Sequence, residues 1–186
     1  MPNRLLPRML MLFVGCLASL VVVAAPTADE RFKALHEAEW QWRLDEFPLM
    51  AAGIGDPEAG RTLGAVDSAA QQRRLRHWQK VLRQLDRIDA AKLSPAARVD
   101  AAVYRGQLEE LMLGVTSRAY LLPINSDSSF FGDLAFSLSA QRFATPGDAE
   151  AYLDRLADLP RWFADHETLL REGLKTGFTV QQVVLE

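Results

Sequence analysis

The sequence contains very little cysteine. Cys16 is the only cysteine among 186 residues, so the chain cannot form a disulfide bond within itself. A fold without such cross-links has to be held together by a packed core. With 49% hydrophobic and 24% charged residues, the composition is that of a globular protein and excludes an intrinsically disordered chain.

Histidine is almost as scarce, which limits the metal sites that a single helix can form. A zinc peptidase helix needs two histidines four residues apart, with a glutamate after the first as general base. The chain has three histidines, and two of them, His36 and His166, are followed by glutamate. The positions four residues after the histidines carry Trp40, Val81 and Leu170. We therefore expect no metal ligand, catalytic residue or cofactor in this chain, and we expect all three histidines on partly exposed helix faces.

Other catalytic and binding motifs are also missing. Residues 125–129 begin like a calcium loop, but Phe130 and Phe136 stand where that loop needs a glycine and a bidentate glutamate. Gly53-Ile54-Gly55 lacks the third glycine, the strand and the helix of a dinucleotide-binding fingerprint. The sequence also lacks the G-x-S-x-G turn that carries the nucleophile of α/β-hydrolases.

The charge of the chain disfavours polyanionic partners. The formal net charge is −3, and it becomes −5 if Arg4 and Arg8 are removed with a leader peptide. Because nucleic acids require clustered Lys and Arg side chains, we expect no nucleic-acid partner. One predicted helix carries a basic stripe made of Arg73, Arg76, Lys80, Arg83 and Arg87. We interpret this stripe as a solvated helix face, with anion binding as the alternative.

The first 24 residues have the organisation of a secretory signal peptide. Arg4 and Arg8 precede an apolar segment at 9–23, and the small residues Ala24 and Ala25 follow it. The apolar segment is shorter than the ~20 residues of a spanning helix, so we expect no permanent membrane span. We predict cleavage after Ala24 (after Ala25 as the second choice) and a periplasmic or secreted location, with residues 25–186 as the exported helical region.

A lipid anchor is the alternative reading of the leader. Val14-Gly15-Cys16 matches two thirds of a lipoprotein box, with Phe13 in place of the usual leucine. Apolar residues continue after Cys16, where a mature lipoprotein normally becomes polar. Removal of the whole leader is therefore favoured over a lipid on Cys16.

Apolar residues recur at helical spacing through most of the remaining chain. The pattern predicts helices over residues 29–47, 68–88, about 95–115 and 145–177. Ser94 and Thr145 are placed to cap the last two, and Pro160 is expected to kink or restart the final one. Residues 53–67 and 121–145 are predicted to be mostly loop. No segment alternates like a strand, so we predict an all-α fold, an antiparallel helical bundle.

The last residues predict the beginning of a further helix. Residues 179–182 have the spacing of a capping box, and Val183, Val184 and Leu185 begin an apolar segment. A helix of so few residues is unstable by itself. We therefore expect the chain to be an incomplete part of a larger helical fold, whose C-terminal part would be its partner. The alternative is an extended tail that packs on the bundle.

Several segments, in this order, carry a resemblance to a known family. They are Trp40-Gln41-Trp42, Phe47-Pro48, residues 53–56, residues 85–89 and Leu93-Ser94-Pro95. This series resembles the N-terminus of the bacterial family known as domain of unknown function 885. Residues 148–177 and 178–185 are similar to the same family, except that Gln181 stands where the family tends to have proline.

The resemblance implies an exported, largely helical protein that is longer than this chain and similar to helical zinc carboxypeptidases. The zinc helix of such relatives, His-Glu-x-x-x-His, matches no position here, so zinc is implied only for full-length relatives and no catalytic residue is carried over. The present helices would then wall one side of a peptide cleft, with residues 122–132 facing it, in particular Asn125, Asp127 and Ser129. The alternative function is an independent small periplasmic helical module that binds a protein or peptide partner.

Overall fold

The computed structural model describes residues 25–55, 59–139, 141 and 143–185. This part of the chain forms seven α-helices and no β-strand, which confirms the all-α prediction. The helices are α1 (Ala28–Glu46), α2 (Pro48–Gly53), α3 (Ser68–Leu85), α4 (Pro95–Thr116), α5 (Phe130–Ser139), α6 (Pro146–Ala157) and α7 (Leu159–Thr176). The predicted signal peptide, including Cys16 and Ala24, lies outside the described residues. None of the described helices is both long enough and apolar enough to cross a membrane.

Side chains cap the starts of α1, α3, α4 and α6. Thr27 and Thr145 form capping boxes at α1 and α6. In the second box the Thr145 hydroxyl accepts from the Asp148 N–H (3.3 Å), while the Asp148 carboxylate accepts from the Thr145 N–H (2.8 Å). Asp67 caps α3, and Ser94 caps α4. Each such cap stabilises a helix by ~1 kcal/mol, and the Ser94 and Thr145 caps were predicted from the sequence.

Helices α1, α3 and α4 pack around the larger core, and α3 runs antiparallel to the other two. The start of α1 lies beside the start of α4, where the Asp29 carboxylate accepts from the Ser94 N–H (2.9 Å). The centre of this core is made of Phe32, Trp78, Val81, Leu85, Tyr104, Leu108 and Val115. The α3 and α4 members lie on or beside the apolar stripes that helical spacing predicted, because burial of one face is what produces such spacing.

A smaller core joins α5 and α7 to the segment before α3. Leu63, Leu134 and Trp162 are buried at its centre. Helix α6 is attached through Arg155, a buried side chain whose Nε donates to the carbonyl of Gly60 (2.6 Å). A Cβ on Gly60 would lie 2.5 Å from the Cβ of Ala52, so this close approach requires glycine.

The prediction that residues 121–145 are mostly loop was wrong for α5. The hydroxyl of Ser129 accepts from the Gly132 N–H (3.1 Å) at the start of this helix, and Leu134 is buried against the smaller core. Phe131 and Phe136 are exposed, so the helix has apolar residues on more than one face. Such a helix is not recognised from its hydrophobic periodicity, because that signal requires a polar face opposite the apolar face.

One boundary also differs from the predictions. Helix α3 ends at Leu85, three residues before the predicted end. Of the two outcomes predicted at Pro160, the structure shows the restart, because α6 ends at Ala157 and α7 begins with Pro160 in its first turn. The capping box predicted at residues 179–182 was wrong, since Gln182–Val184 forms a single 3₁₀ turn without a side-chain cap.

Candidate functional site

The loop predicted to face a cleft has a defined local structure. Asn125 Oδ1 accepts from the N–H groups of Asp127 (2.8 Å) and Ser128 (2.9 Å), and Asn125 Nδ2 donates to the Ser128 hydroxyl (3.0 Å). Ile124 and Ser129 form an isolated antiparallel bridge. The Asn125 side chain and the Ser129 hydroxyl therefore make their hydrogen bonds inside the loop and at the start of α5, while Asp127 is exposed. A role of Asn125, Asp127 and Ser129 in a cleft stays a prediction.

The three histidines lie in three different environments, and two of them lie on helix faces that are at least partly exposed, as predicted. His36 is exposed, and His77 is half-buried, with its ring stacked on Trp42 at 3.5 Å between centroids. His166 is 7% exposed, so the prediction was wrong for this residue. Its ring stacks on Phe130 and makes an edge contact with Trp162, and neither ring nitrogen has a hydrogen-bond partner. Burial without a partner lowers the pKa of His166 to about 4.

The described residues do not provide a zinc site of the kind that the resemblance implies for longer relatives. Among them, no group of three or more His, Cys, Asp or Glu side chains is close enough to hold a metal ion. Structural and catalytic zinc sites need at least three such ligands. No step that depends on a metal is therefore assigned to these residues.

A buried carboxylate at the centre of the three-helix arrangement was not predicted. Glu39 is only 2% exposed. Arg43, one turn later on α1, donates to both of its carboxylate oxygens at 2.9–3.0 Å. The Trp78 indole N–H and the Tyr104 hydroxyl also donate to Glu39, each at 3.3 Å. Burial and the neighbouring Glu39 charge raise the pKa of Tyr104, which keeps that hydroxyl protonated as a donor.

This network ties α1 to both of its neighbours through one charged group. A buried carboxylate is tolerated when it is paired and hydrogen-bonded, and Glu39 meets both conditions. The only signal in the sequence was the spacing of Glu39 and Arg43, which is that of an ordinary surface ion pair. Sequence reasoning missed the site because the other two donors, Trp78 and Tyr104, come from distant parts of the chain.

A groove of about 570 Å³ lies between α1 and α3. We call it the α1–α3 groove. Its apolar lining is made of Ala34, Leu35, Ala38, Val81 and Ile88. Its polar lining is made of Arg31, Glu39, His77, Lys80, Gln84 and Arg87. Lys80 and Arg87 belong to the basic stripe predicted on α3, and Arg31 is added to them by the packing of α1.

A smaller and more apolar cavity of about 340 Å³ lies near the junction of α1 and α2. Trp162 forms part of its wall, and Glu46 and Arg74 form its charged edge. Arg74 donates to Glu46 (2.9 Å) and to the carbonyl of Ala65 (2.5 Å), and its guanidinium lies 4.5 Å from the centre of the Phe47 ring. Because Glu46 and Arg74 pair with each other, the cavity offers a ligand mainly apolar contacts.

The outer face of α4 carries three exposed apolar side chains. Val99, Val103 and Leu113 are 62%, 58% and 63% exposed, and Gly106 has open space where a Cβ would stand. At 3.6 residues per turn these four positions lie within about a quarter of the helix circumference, an arc that they share with the exposed Glu110. We call this surface the α4 outer face.

Comparison with protein families matches residues 48–186 to the family described as bacterial protein of unknown function, DUF885. The chain belongs to this family. The match includes every described helix except α1, and it agrees with the resemblance found in the sequence. No curated protein and no solved structure matches the chain. The comparisons therefore give a family for this chain but no function.

Proposed function

We propose that this DUF885 chain is the N-terminal helical part of an exported, metallopeptidase-like protein, and that it shapes one side of a peptide cleft. In this proposal the zinc ligands and the catalytic residues belong to the remaining part of the protein. The observation that carries the proposal is the α4 outer face. Exposed apolar side chains that are grouped on one helix face can mark a surface that another protein segment covers.

The length of the α4 outer face suits a helix or hairpin of the remaining part. Val99 and Leu113 are separated by fourteen residues, or ~21 Å along the helix axis. Burial of a Val or Leu side chain contributes on the order of 1.5–3 kcal/mol. Covering Val99, Val103 and Leu113 would therefore supply a large part of the 5–15 kcal/mol that typically stabilises a folded domain.

Further apolar side chains are exposed on α6, α7 and the C-terminal turn. They are Leu153, Phe163, Leu174, Val183 and Leu185. Single exposed apolar residues are ordinary on a protein surface. Together with the α4 outer face, however, they support a fold whose core continues beyond these helices.

Dye binding to the full-length chain tests the proposed covered surface. A dye that fluoresces on apolar surfaces should bind the chain, and the triple variant V99S/V103S/L113S should bind clearly less of it while keeping the same helical circular dichroism. A matched control is A96S/A102S, which changes small side chains on the same helix and should leave dye binding unchanged. Absence of dye binding by the unmodified chain, or an unchanged signal in the triple variant, would contradict the proposal.

An independent helical module that binds a protein or peptide partner is the second candidate, and the same α4 outer face would favour it. The gene distinguishes the two candidates. We expect the reading frame to continue past codon 186 and to encode a His-Glu-x-x-x-His helix. A stop codon at this point, followed by an unrelated gene, would favour the independent module.

A further inference from the structure

The α1–α3 groove is a positively charged surface on a chain whose formal net charge is −3. Three cations line it: Arg31 from α1, and Lys80 and Arg87 on the side of α3. Within the described part of the chain, none of these three lies within ion-pair distance of a carboxylate. The cations in the groove are therefore available to an external anion.

Two neighbouring arginines of α3 differ from these cations, because each of them is paired within the fold. Arg73 and Arg74, also on α3, both pair with Glu46 of α1, at 2.8 and 2.9 Å. The one carboxylate that lines the groove, Glu39, is already bound by Arg43. Within the basic stripe predicted on α3, Arg73 is therefore neutralised inside the fold, whereas Lys80 and Arg87 are not.

The floor of the groove is apolar. Leu35, Val81 and Ile88 line it together with two alanines of α1, Ala34 and Ala38. A fully hydrated anion would gain nothing from this floor, whereas a ligand with both apolar and acidic groups would use the floor and the cations at once. The lining thus favours an amphipathic ligand.

The cations together with the apolar floor favour an extended ligand over a small anion. Lys80 lies on α3, and Arg87 lies seven residues later, in the turn that continues the chain past the end of this helix at Leu85. A small anion could contact these cations, but it would leave the apolar floor uncovered. The furrow between two packed helices has room for a third helix, with its axis about 8–10 Å from theirs, and such a helix covers the floor and the cations together.

We propose that the α1–α3 groove binds an acidic amphipathic helix of a protein or peptide partner. Its carboxylates pair with Arg31, Lys80 and Arg87, and its apolar side chains pack on Leu35 and Val81. Nucleic acid fits less well, because single-strand binding relies on aromatic stacking platforms and the described lining contains no Phe, Tyr or Trp. The proposal is independent of the cleft-forming role, since the groove and the α4 outer face are formed by different residues.

A designed peptide tests the proposal on the full-length chain. The probe is a fluorescently labelled helical peptide of about 16 residues, long enough to be partly helical alone, with a leucine stripe and two glutamates one heptad apart. Its matched control has glutamine in place of both glutamates. Fluorescence anisotropy should show binding of the acidic peptide at micromolar concentration, weaker binding at higher salt, and at least about tenfold weaker binding of the glutamine peptide.

Paired protein variants locate the site. K80Q/R87Q should weaken binding of the acidic peptide about tenfold, whereas R76Q/R83Q, which makes the same charge change on α3 outside the groove lining, should stay within about twofold of the unmodified chain. All four side chains are exposed, and thermal unfolding followed by circular dichroism should confirm that both variants fold.

Three results would overturn the proposal. The first is an equal loss of affinity in the two double variants, which indicates a general charge effect. The second is displacement of the peptide by inorganic phosphate at the peptide's own concentration, which indicates a small-anion site. The third is tighter binding of a single-stranded oligonucleotide than of the acidic peptide.

Discussion

The imidazole of His166 stacks on the phenyl ring of Phe130, with the ring centroids 4.1 Å apart and the planes 22° apart. Trp162 contacts the imidazole edge-on, with the ring centroids 4.2 Å apart. Burial among these rings favours the neutral form of His166 and lowers its pKa to about 4 from an ordinary 6.5. The stability of the smaller core is therefore linked to pH.

We predict that the free energy of unfolding decreases as the pH falls from 6.5 to 4. In this window the unfolded chain binds a proton at His166 and the folded chain does not, so acid favours unfolding. Above pH 6.5 both states are neutral at this residue and the contribution is complete. The loss is at most about 3.4 kcal/mol, since each unit of pKa difference corresponds to roughly 1.36 kcal/mol.

Urea unfolding at several pH values measures this effect. H166F, which keeps an aromatic ring in the pocket, should flatten the pH dependence between 6.5 and 4. H36Q changes an exposed histidine and should leave the dependence as it is. If H166F retained the full acid sensitivity of the unmodified chain, the assignment to His166 would be wrong.

The Glu39 network predicts a large difference between two glutamates of the same helix. E39A should destabilise the chain by about 3 kcal/mol, because it leaves Arg43, Trp78 and Tyr104 without their shared acceptor. E37A removes an exposed partner of Lys33 at 3.7 Å and should change stability by less than about 0.5 kcal/mol. Equal effects of the two substitutions in urea unfolding would mean that the Glu39 network stabilises the fold no more than an exposed ion pair does.

Gly173 and Gly106, two glycines within helices, allow a second comparison of matched substitutions. A Cβ on Gly173 would lie 2.7 Å from the carbonyl oxygen of Phe178, so G173A should destabilise the chain by about 1–2 kcal/mol. Gly106 has no atom within 4 Å of such a Cβ, and G106A should stabilise α4 by about 0.5–1 kcal/mol. The unfolding midpoints should move in opposite directions. A stabilising G173A would contradict the packing of α7 against the turn that follows it.

The features that sequence reasoning located correctly are those with a local cause. The cap at Thr145 depends on residues within three positions of it. The core faces of α3 and α4 can be predicted from the spacing of apolar residues within each helix alone. Helix α5 was missed because Leu134 is fixed by contact with the smaller core around Trp162, far along the chain. A local pattern contains no signal for such a contact.

The site features were harder to predict because they join separate helices. The basic stripe on α3 was recognised, but the groove exists only because α1 adds Arg31 and an apolar floor next to it. Glu39 has the spacing of a surface residue and is buried only because α3 and α4 both donate hydrogen bonds to it. His166 was placed on a partly exposed face because a single sequence does not show which aromatic rings will surround it.

The mass of the protein in the producing bacterium tests the central proposal most directly. Intact mass spectrometry of the periplasmic fraction, combined with N-terminal sequencing, reports both ends of the exported protein. We predict an N-terminus near Ala25 and a mass well above the 20.8 kDa of this chain, with a His-Glu-x-x-x-His segment in the additional part. A product that ends at Glu186, or one that retains Met1 in the cytoplasm, would contradict the account.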